Sequence, residues 1–137
     1  MKNVITIVAC VLILAVFMAQ ITTNEITHSK ILFAETEVNT AVQVAKQDGC
    51  FTQENINHLV TRLAEKLGCE ESEIIIGPAG DSEGSMTRTP VYRGELVYYY
   101  VKYPVKGVIG AGAFLGVENN TAMRVLSGAT ASEYIGE

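Results

Sequence analysis

The stretch VITIVACVLILAVFMAQI, residues 4–21, decides the fold of this 137-residue chain. It contains no charged residue, and only Thr6 and Gln20 within it are clearly polar. As an α-helix it is about 27 Å long, close to the roughly 30 Å thickness of the hydrocarbon layer of a bilayer. Because the run is apolar on all sides, it does not suit a one-sided surface helix. The pattern predicts a segment that lies in a membrane or in the interior of a protein assembly.

Other interpretations of the apolar run fit less well. A signal peptide needs small residues at positions −3 and −1 of its cleavage site, but Phe17 is at −3 if cleavage follows Ala19. Residues 7–10, ending in Cys10, are similar to a lipoprotein cleavage box, yet too few residues separate them from Lys2. A helix buried in a soluble core would need more covering chain than the rest of the sequence supplies. We therefore expect residues 4–21 to be retained.

The distribution of charge predicts the orientation. Lys2 and the amino terminus carry the only positive charges before the apolar run, so the N-terminus is expected on the cytoplasmic side and the remaining chain outside. The expected location is the inner or cytoplasmic membrane, with the head on its outer side. The net charge of −5 and the scattered basic residues exclude a basic surface for nucleic acid.

The helix is predicted to continue beyond the apolar run. No Gly or Pro occurs between Met1 and Asp48, and Asp48-Gly49 is a typical C-terminal stop. We predict one helix over residues 3–47, within an N-terminal unit of residues 1–48 that joins the extracellular head, residues 49–137, without a flexible linker. In its outer half, apolar residues recur at three- and four-residue steps: Ile31, Ala34, Val38, Ala41, Val42 and Ala45.

The head begins with a second helix. Thr52 is a candidate N-cap, Gly68 is a candidate C-terminal stop, and the segment between them predicts a helix over residues 53–67. Its apolar residues lie on one face, which is typical of an amphipathic helix packed on a core. These residues are Ile56, Leu59, Val60, Leu63 and Leu67.

Strands are predicted after Gly68. Residues 73–76 form a short β-branched run, which predicts a strand, and residues 77–85 are predicted to be a loop. Residues 86–92 alternate between polar and apolar side chains, but Pro90 confines that strand to a sheet edge or a strand end. The strongest strand pattern covers residues 95–105, and 121–131 form the last strand. In the former, Val97, Tyr99, Val101 and Tyr103 share one face and Leu96, Tyr98 and Tyr100 the other. The predicted class is α+β, with three or four antiparallel strands on the outer half of the first helix and the second helix alongside.

Two cysteines flank the second helix. Cys50 and Cys69 are expected in an oxidising exterior. A helix over 53–67 is about 21 Å long, whereas bridged Cα atoms lie within about 7 Å, which disfavours an intramolecular bridge. Free or buried thiols, a disulfide between subunits, and an intramolecular bridge with a broken helix all remain open.

Catalytic and metal-binding patterns are missing from the sequence. His28 and His58 have no Cys or acidic residue at metal-ligand spacing, and no nucleophile elbow or glycine cradle surrounds the serines. We expect no enzyme activity, no metal, no cofactor and no small-molecule substrate.

The order of elements resembles a type IV pilin and, more narrowly, the TadE-like pilins of the tight-adherence group. The residues that carry the resemblance are the short tail before the apolar helix, Tyr103-Pro104-Val105, the apolar Gly-rich loop 107–116 and the end at Ser132-Glu133-Tyr134. The chain differs from type IV pilins at position 5, where Ile5 stands in place of the glutamate of the mature helix.

The resemblance implies a structural subunit of an extracellular filament that supports adhesion, with the membrane as its environment before assembly and copies of itself as partners. The alternative is a monomeric membrane component, a minor pilin or pseudopilin, of a secretion, conjugation or DNA-uptake system. An anchored extracytoplasmic enzyme is a third possibility. A packing loop between subunits is expected at Val108, Ile109, Phe114 and Leu115. The residues expected in the membrane or filament core are Val4, Ile5, Val8, Val11, Leu12, Leu14, Ala15, Phe17, Met18 and Ile21.

Overall fold

The computed structural model describes residues 1–110, 112 and 115–136. Two helices, a short 3-10 turn and three strands follow one another in the chain, so the fold is α+β, as the sequence predicts. The elements are α1 (Lys2–Asp48), α2 (Gln53–Leu67), the 3-10 turn (Glu71–Glu73), β1 (Ile75–Ile76), β2 (Leu96–Lys106) and β3 (Thr121–Ala131).

The first helix is unbroken over 47 residues, which makes it about 70 Å long. It ends at Gly49, whose φ of 74° lies in the left-handed region. A side chain at this position would also collide with the chain, because a Cβ built on Gly49 lies 2.6 Å from the Val91 carbonyl oxygen. The predicted helix, residues 3–47, is confirmed to within one residue at each end.

The second helix packs along the outer half of α1, and the predicted bounds 53–67 are confirmed. The Thr52 hydroxyl caps it by accepting a hydrogen bond from the Asn55 backbone N–H at 3.2 Å. The Asn55 side chain donates to the Ala41 carbonyl at 2.9 Å, and Arg62 pairs with Glu37 of α1 at 3.0 Å. Of the predicted apolar face, Ile56, Leu59, Leu63 and Leu67 are buried and Val60 is half-buried. Ala64, which was not predicted, is buried beside them.

The sheet has the order β1-β2-β3, and both pairings are antiparallel. The long β2–β3 hairpin runs from the Leu96–Ala131 pair to the Lys106–Thr121 pair. Because alternate residues of a strand point to opposite sides of the sheet, one face of β2 is buried against the helices. Its buried residues include Val97, Val101, Tyr103 and Val105, while Tyr99 is half-buried.

Two of the predicted strands differ in the structure. Residues 86–92 form no regular strand, and Met86 makes a single bridge with Ala79. Pro90 has no N–H to offer a ladder, and the Thr87 hydroxyl instead accepts the N–H of Tyr98 at 2.9 Å. The other predicted strand, 73–76, shortens to β1 because reciprocal hydrogen bonds between Glu70 and Glu73 hold the 3-10 turn before it.

The core joins the outer half of α1 to the head. Ala34 and Ala45 are fully buried, and Val38 is 2% exposed. Small side chains at these positions let α2 and β2 approach the α1 backbone closely. The same core contains Phe51, Leu59, Leu63, Val97, Val101 and Tyr103. Outer α1 is therefore part of the folded head.

Candidate membrane and subunit interface

The inner half of α1, which carries the apolar run of residues 4–21, presents a continuous apolar surface. Its most apolar 18-residue window has a mean hydropathy of 2.8, and none of its residues is fully buried by the part of the chain that the structure describes. By length and composition, this part of α1 is able to cross a membrane. The residues predicted for a membrane or filament core are all exposed: Val4, Ile5, Val8, Val11, Leu12, Leu14, Ala15, Phe17, Met18 and Ile21.

Threonine hydroxyls in this half of α1 are satisfied by the helix itself. Thr6 donates to the Lys2 carbonyl at 3.0 Å, and Thr22 and Thr23 donate to the carbonyls of Met18 and Ala19 at 3.1 and 2.9 Å. A hydroxyl that bonds to the carbonyl four residues earlier does not require water. These polar residues are therefore compatible with an apolar environment.

One side chain of the apolar run reaches across to the β2–β3 connection. The Gln20 side-chain oxygen accepts the Gly110 backbone N–H at 2.8 Å, and its side-chain nitrogen donates to the Val108 carbonyl at 3.4 Å. A Cβ built on Gly110 would lie 2.7 Å from the Ala19 carbonyl carbon and oxygen. Only glycine permits this close approach of the two backbones. Val16, Ala19 and Gln20 are accordingly half-buried.

We call residues 107–110, 112 and 115–120 the boundary loop. Hydrogen bonds of Asn120, at one end of this loop, hold it to residues at the other end. Its side-chain oxygen accepts the Ile109 N–H at 2.7 Å, and its side-chain nitrogen donates to the Ile109 carbonyl at 2.8 Å. The Gly107 N–H donates to the Asn120 carbonyl at 2.7 Å. The loop is thus a hydrogen-bonded structure that rests on α1.

The four residues predicted to pack between subunits have different positions in this loop. Val108 is half-buried, whereas Ile109 and Leu115 are 40% and 52% exposed. Phe114 lies outside the described residues. The loop contacts its own α1 through Gln20, and packing against a neighbouring subunit stays a prediction.

The cysteines lie at opposite ends of α2. Both Cys50 and Cys69 are free in the structure, and α2 between them is unbroken. Cys50 is 6% exposed and Cys69 is half-buried. Burial is the main cause that raises the pKa of each thiol, and it lowers their reactivity because the thiolate is the nucleophile. A disulfide between subunits stays a prediction, with Cys69 the more accessible partner.

Two ion pairs join separate segments of the head. Lys46 of α1 pairs with Glu133 at 2.7 Å, and the Glu133 N–H donates to the Lys46 carbonyl at 2.8 Å. Lys106, at the end of β2, pairs with Glu73 at 2.8 Å. The hydrogen bond from each lysine is the main cause that lowers the pKa of Glu133 and Glu73. Both pairs join elements of the head.

The part of the chain that the structure describes contains no candidate metal site. Within residues 1–110, 112 and 115–136, no three His, Cys, Asp or Glu side chains are grouped as metal ligands. What the arrangement offers is an apolar helix surface and the boundary loop beside its outer end.

Sequence reasoning missed the contact between Gln20 and Gly110. The available signal is that Gln20 is a strongly polar residue in the last turn of an apolar run, where an unsatisfied amide is costly. Its partner could not be identified, because several glycines lie in residues 107–116. The bidentate contact of Asn120 with Ile109 depends on the loop conformation, which the local sequence does not specify.

The chain matches no protein-family model, no curated protein and no solved structure. The functional conclusion therefore rests on the geometry of α1 and the head.

Proposed function

We propose that the chain is a structural subunit of an extracellular, type IV-like filament held together by its apolar N-terminal helices. The observation that carries the proposal is the two-part character of α1. The apolar run of residues 4–21 is exposed except at the half-buried Val16, Ala19 and Gln20. In contrast, Ala34, Val38, Ala41, Val42 and Ala45 are buried in the head. One unbroken helix thus joins a surface that needs an external apolar partner to a folded domain.

An apolar helix of this kind is stable both in lipid and among copies of itself. Lipid chains are as apolar as leucine, so packing and head contacts decide between the two environments. Ala9 and Ala15 are exposed and allow close approach of a neighbouring helix, while Ala19 is covered by Gly110. Contacts between copies that repeat without closing generate a helical filament.

The rigid connection between helix and head favours a filament over a simple anchor. Core residues hold the outer half of α1, and Lys46 pairs with Glu133 near its C-terminal end. The position of the apolar surface relative to the head is consequently fixed. Fixed geometry allows each added copy to repeat the same helix and head contacts.

The first turn of α1 contains no acidic residue. No acidic residue occurs in the apolar run either, so residues 4–21 supply no carboxylate to neutralise the amino terminus of an adjacent copy. Assembly by this chain therefore relies on apolar helix packing and on contacts between heads.

Microscopy of material sheared from cells that make the full chain tests the proposal. We expect fibres that bind an antibody against the head. A chain that stays in the membrane fraction, requires detergent and forms no fibres would instead support a monomeric membrane component. A full-length chain that is soluble and monomeric without lipid or detergent would contradict both.

A matched pair of variants separates helix packing from membrane insertion. In Ala15→Phe a bulky ring replaces a small exposed side chain, so fibres should be lost while the chain still partitions into membranes. Leu14→Phe exchanges one large apolar side chain for another and serves as the control. If both variants form fibres in equal amounts, close approach at Ala15 has no role.

A further inference from the structure

We propose that the boundary loop is a second membrane contact, which places Ile109 in the interfacial layer of lipid headgroups and first acyl carbons. The occupant is lipid, and the contact exists in the single subunit before assembly. The proposal rests on the membrane-inserted state described under the proposed function, and it adds a surface outside α1.

The depth of the loop follows from its contact with α1. Gly110 donates to Gln20 at 2.8 Å and lies against the Ala19 carbonyl. Both partners belong to the last turn of the apolar run, residues 4–21. When this run spans the hydrocarbon layer, its outer end lies at the boundary between lipid and water. The hydrogen bond therefore holds the loop at that boundary.

The backbone of the loop is suited to a medium with little water. Irregular backbone near lipid is tolerated only where its polar groups are satisfied by protein. Asn120 satisfies both the N–H and the carbonyl of Ile109. The N–H groups of Leu115 and Val117 donate to the Gly112 carbonyl at 3.1 and 2.9 Å. These bonds reduce the cost of removing the loop from water.

The side chains of the loop define an interfacial depth. Ile109 and Leu115 are apolar and exposed beside the outer end of α1. Glu118 is also exposed, and its carboxylate has to remain with water and headgroups. Apolar side chains next to a charged one favour the interface over the hydrocarbon interior.

Lipid is favoured over a neighbouring subunit because one chain alone fixes this geometry. The loop is joined to α1 by Gln20, and α1 continues without a break from the apolar run into the head. Insertion of residues 4–21 therefore brings Ile109 to the bilayer surface in every copy, whether or not copies assemble.

The absence of tryptophan from the sequence gives a direct test. Ile109→Trp, Leu12→Trp and Leu96→Trp each introduce one fluorophore into the full chain. The variants are reconstituted in phosphatidylcholine–phosphatidylglycerol vesicles with bromine either near the headgroup or deep in the acyl chains. Leu12 marks the middle of the apolar run, and Leu96, 47% exposed, marks the opposite end of β2.

We expect Ile109→Trp to lose most of its fluorescence to the shallow quencher and to emit at shorter wavelength than Leu96→Trp. Leu12→Trp should respond most to the deep quencher, and Leu96→Trp to neither. Adding Gln20→Ala should abolish shallow quenching at position 109 and leave quenching at position 12 unchanged. Near-ultraviolet circular dichroism verifies that the head is folded in each variant.

The possible failures can be distinguished. If Leu12→Trp is quenched and Ile109→Trp behaves like Leu96→Trp, the lipid contact is wrong and the proposed function stands. If Ile109→Trp is shielded only in assembled fibres, its partner is a neighbouring subunit and the lipid contact is wrong. If Leu12→Trp is not quenched either, the run is not inserted and both proposals fail.

Discussion

The inner and outer halves of α1 form one helix in two different environments. Val4, Val8 and Val11 in the inner half are each more than half exposed, whereas Val38 and Val42 in the outer half are 2% and 6% exposed. The difference lies in the pattern around the helix. The inner half is apolar on every side, and the outer half has one apolar stripe bordered by polar residues such as Glu35 and Asn39.

This difference shows which half needs an external partner. The head covers the main apolar stripe of the outer half, and only isolated apolar side chains there, such as Leu32 and Val44, stay exposed. No single neighbour covers an all-round apolar surface, so under the proposed function the inner half is covered by lipid or by several copies of the same helix. The two halves should accordingly respond to mutation in separate ways, and that separation is testable.

The largest effect is expected when a charge enters the outer half. Val38→Asp places a carboxylate without a partner in the core, which should lower the free energy of unfolding of the head by about 3–5 kcal/mol. Thermal unfolding in detergent, followed by near-ultraviolet circular dichroism, measures it. Asn39→Asp, at the exposed neighbouring position, is the control and should change stability by less than about 0.5 kcal/mol. Equal effects would mean that outer α1 is not part of the core.

A charge in the inner half should act on membrane partition instead. Leu12→Asp lies near the centre of the apolar run, where an aspartate costs about 2.5–3.5 kcal/mol in a bilayer. We expect the chain to move from the carbonate-resistant membrane fraction to the soluble or aggregated fraction, while the unfolding midpoint of the head stays unchanged. Leu12→Ile is the control. A loss of head stability in Leu12→Asp would contradict the separation of the two halves.

The junction between α1 and the head should be more sensitive than the end of α2. Gly49→Ala and Gly68→Ala share the left-handed backbone penalty, since φ is 74° and 65°. Only Gly49 has close neighbours: a Cβ would lie 2.6 Å from the Val91 oxygen, whereas nothing lies within 4 Å at Gly68. Gly49→Ala should therefore be the less stable variant by about 1–3 kcal/mol. Chemical denaturation of both variants measures this difference, and equal stabilities would contradict the close packing.

The smallest effect concerns the surface ion pair between α1 and the C-terminal segment. Lys46 lowers the pKa of Glu133 in the folded state, so the pair stabilises the fold above the unfolded pKa. This contribution is lost as pH falls through the lowered folded pKa of Glu133. Glu133→Gln should remove a small stabilisation at pH 7 and make the acid limb of stability shallower. Because the Glu133 side chain is 58% exposed, added salt should weaken the effect in the unmodified chain. A stability difference between Glu133→Gln and the unmodified chain that does not change with added salt would contradict this prediction.

Long periodic segments were predicted well because their local pattern agrees with their final environment. Residues 121–131 form β3 with the predicted bounds, and residues 53–67 form α2. Residues 86–92 alternate, but Pro90 and the Thr87 hydroxyl replace regular pairing with isolated contacts. Residues 73–76 were shortened by the reciprocal bonds of Glu70 and Glu73. Local strand patterns therefore predict strands wrongly where side chains compete for the backbone hydrogen-bonding groups.

The sequence by itself determined the long helix, its two different halves and the α+β class, because these follow from composition, spacing and the absence of Gly and Pro before Gly49. Only the tertiary structure decided that Gly110 rests on Ala19 and Gln20, about ninety residues earlier in the chain. Local patterns report how each segment divides between water and apolar surroundings. Contacts between distant segments depend on how the whole chain packs, which local spacing does not encode.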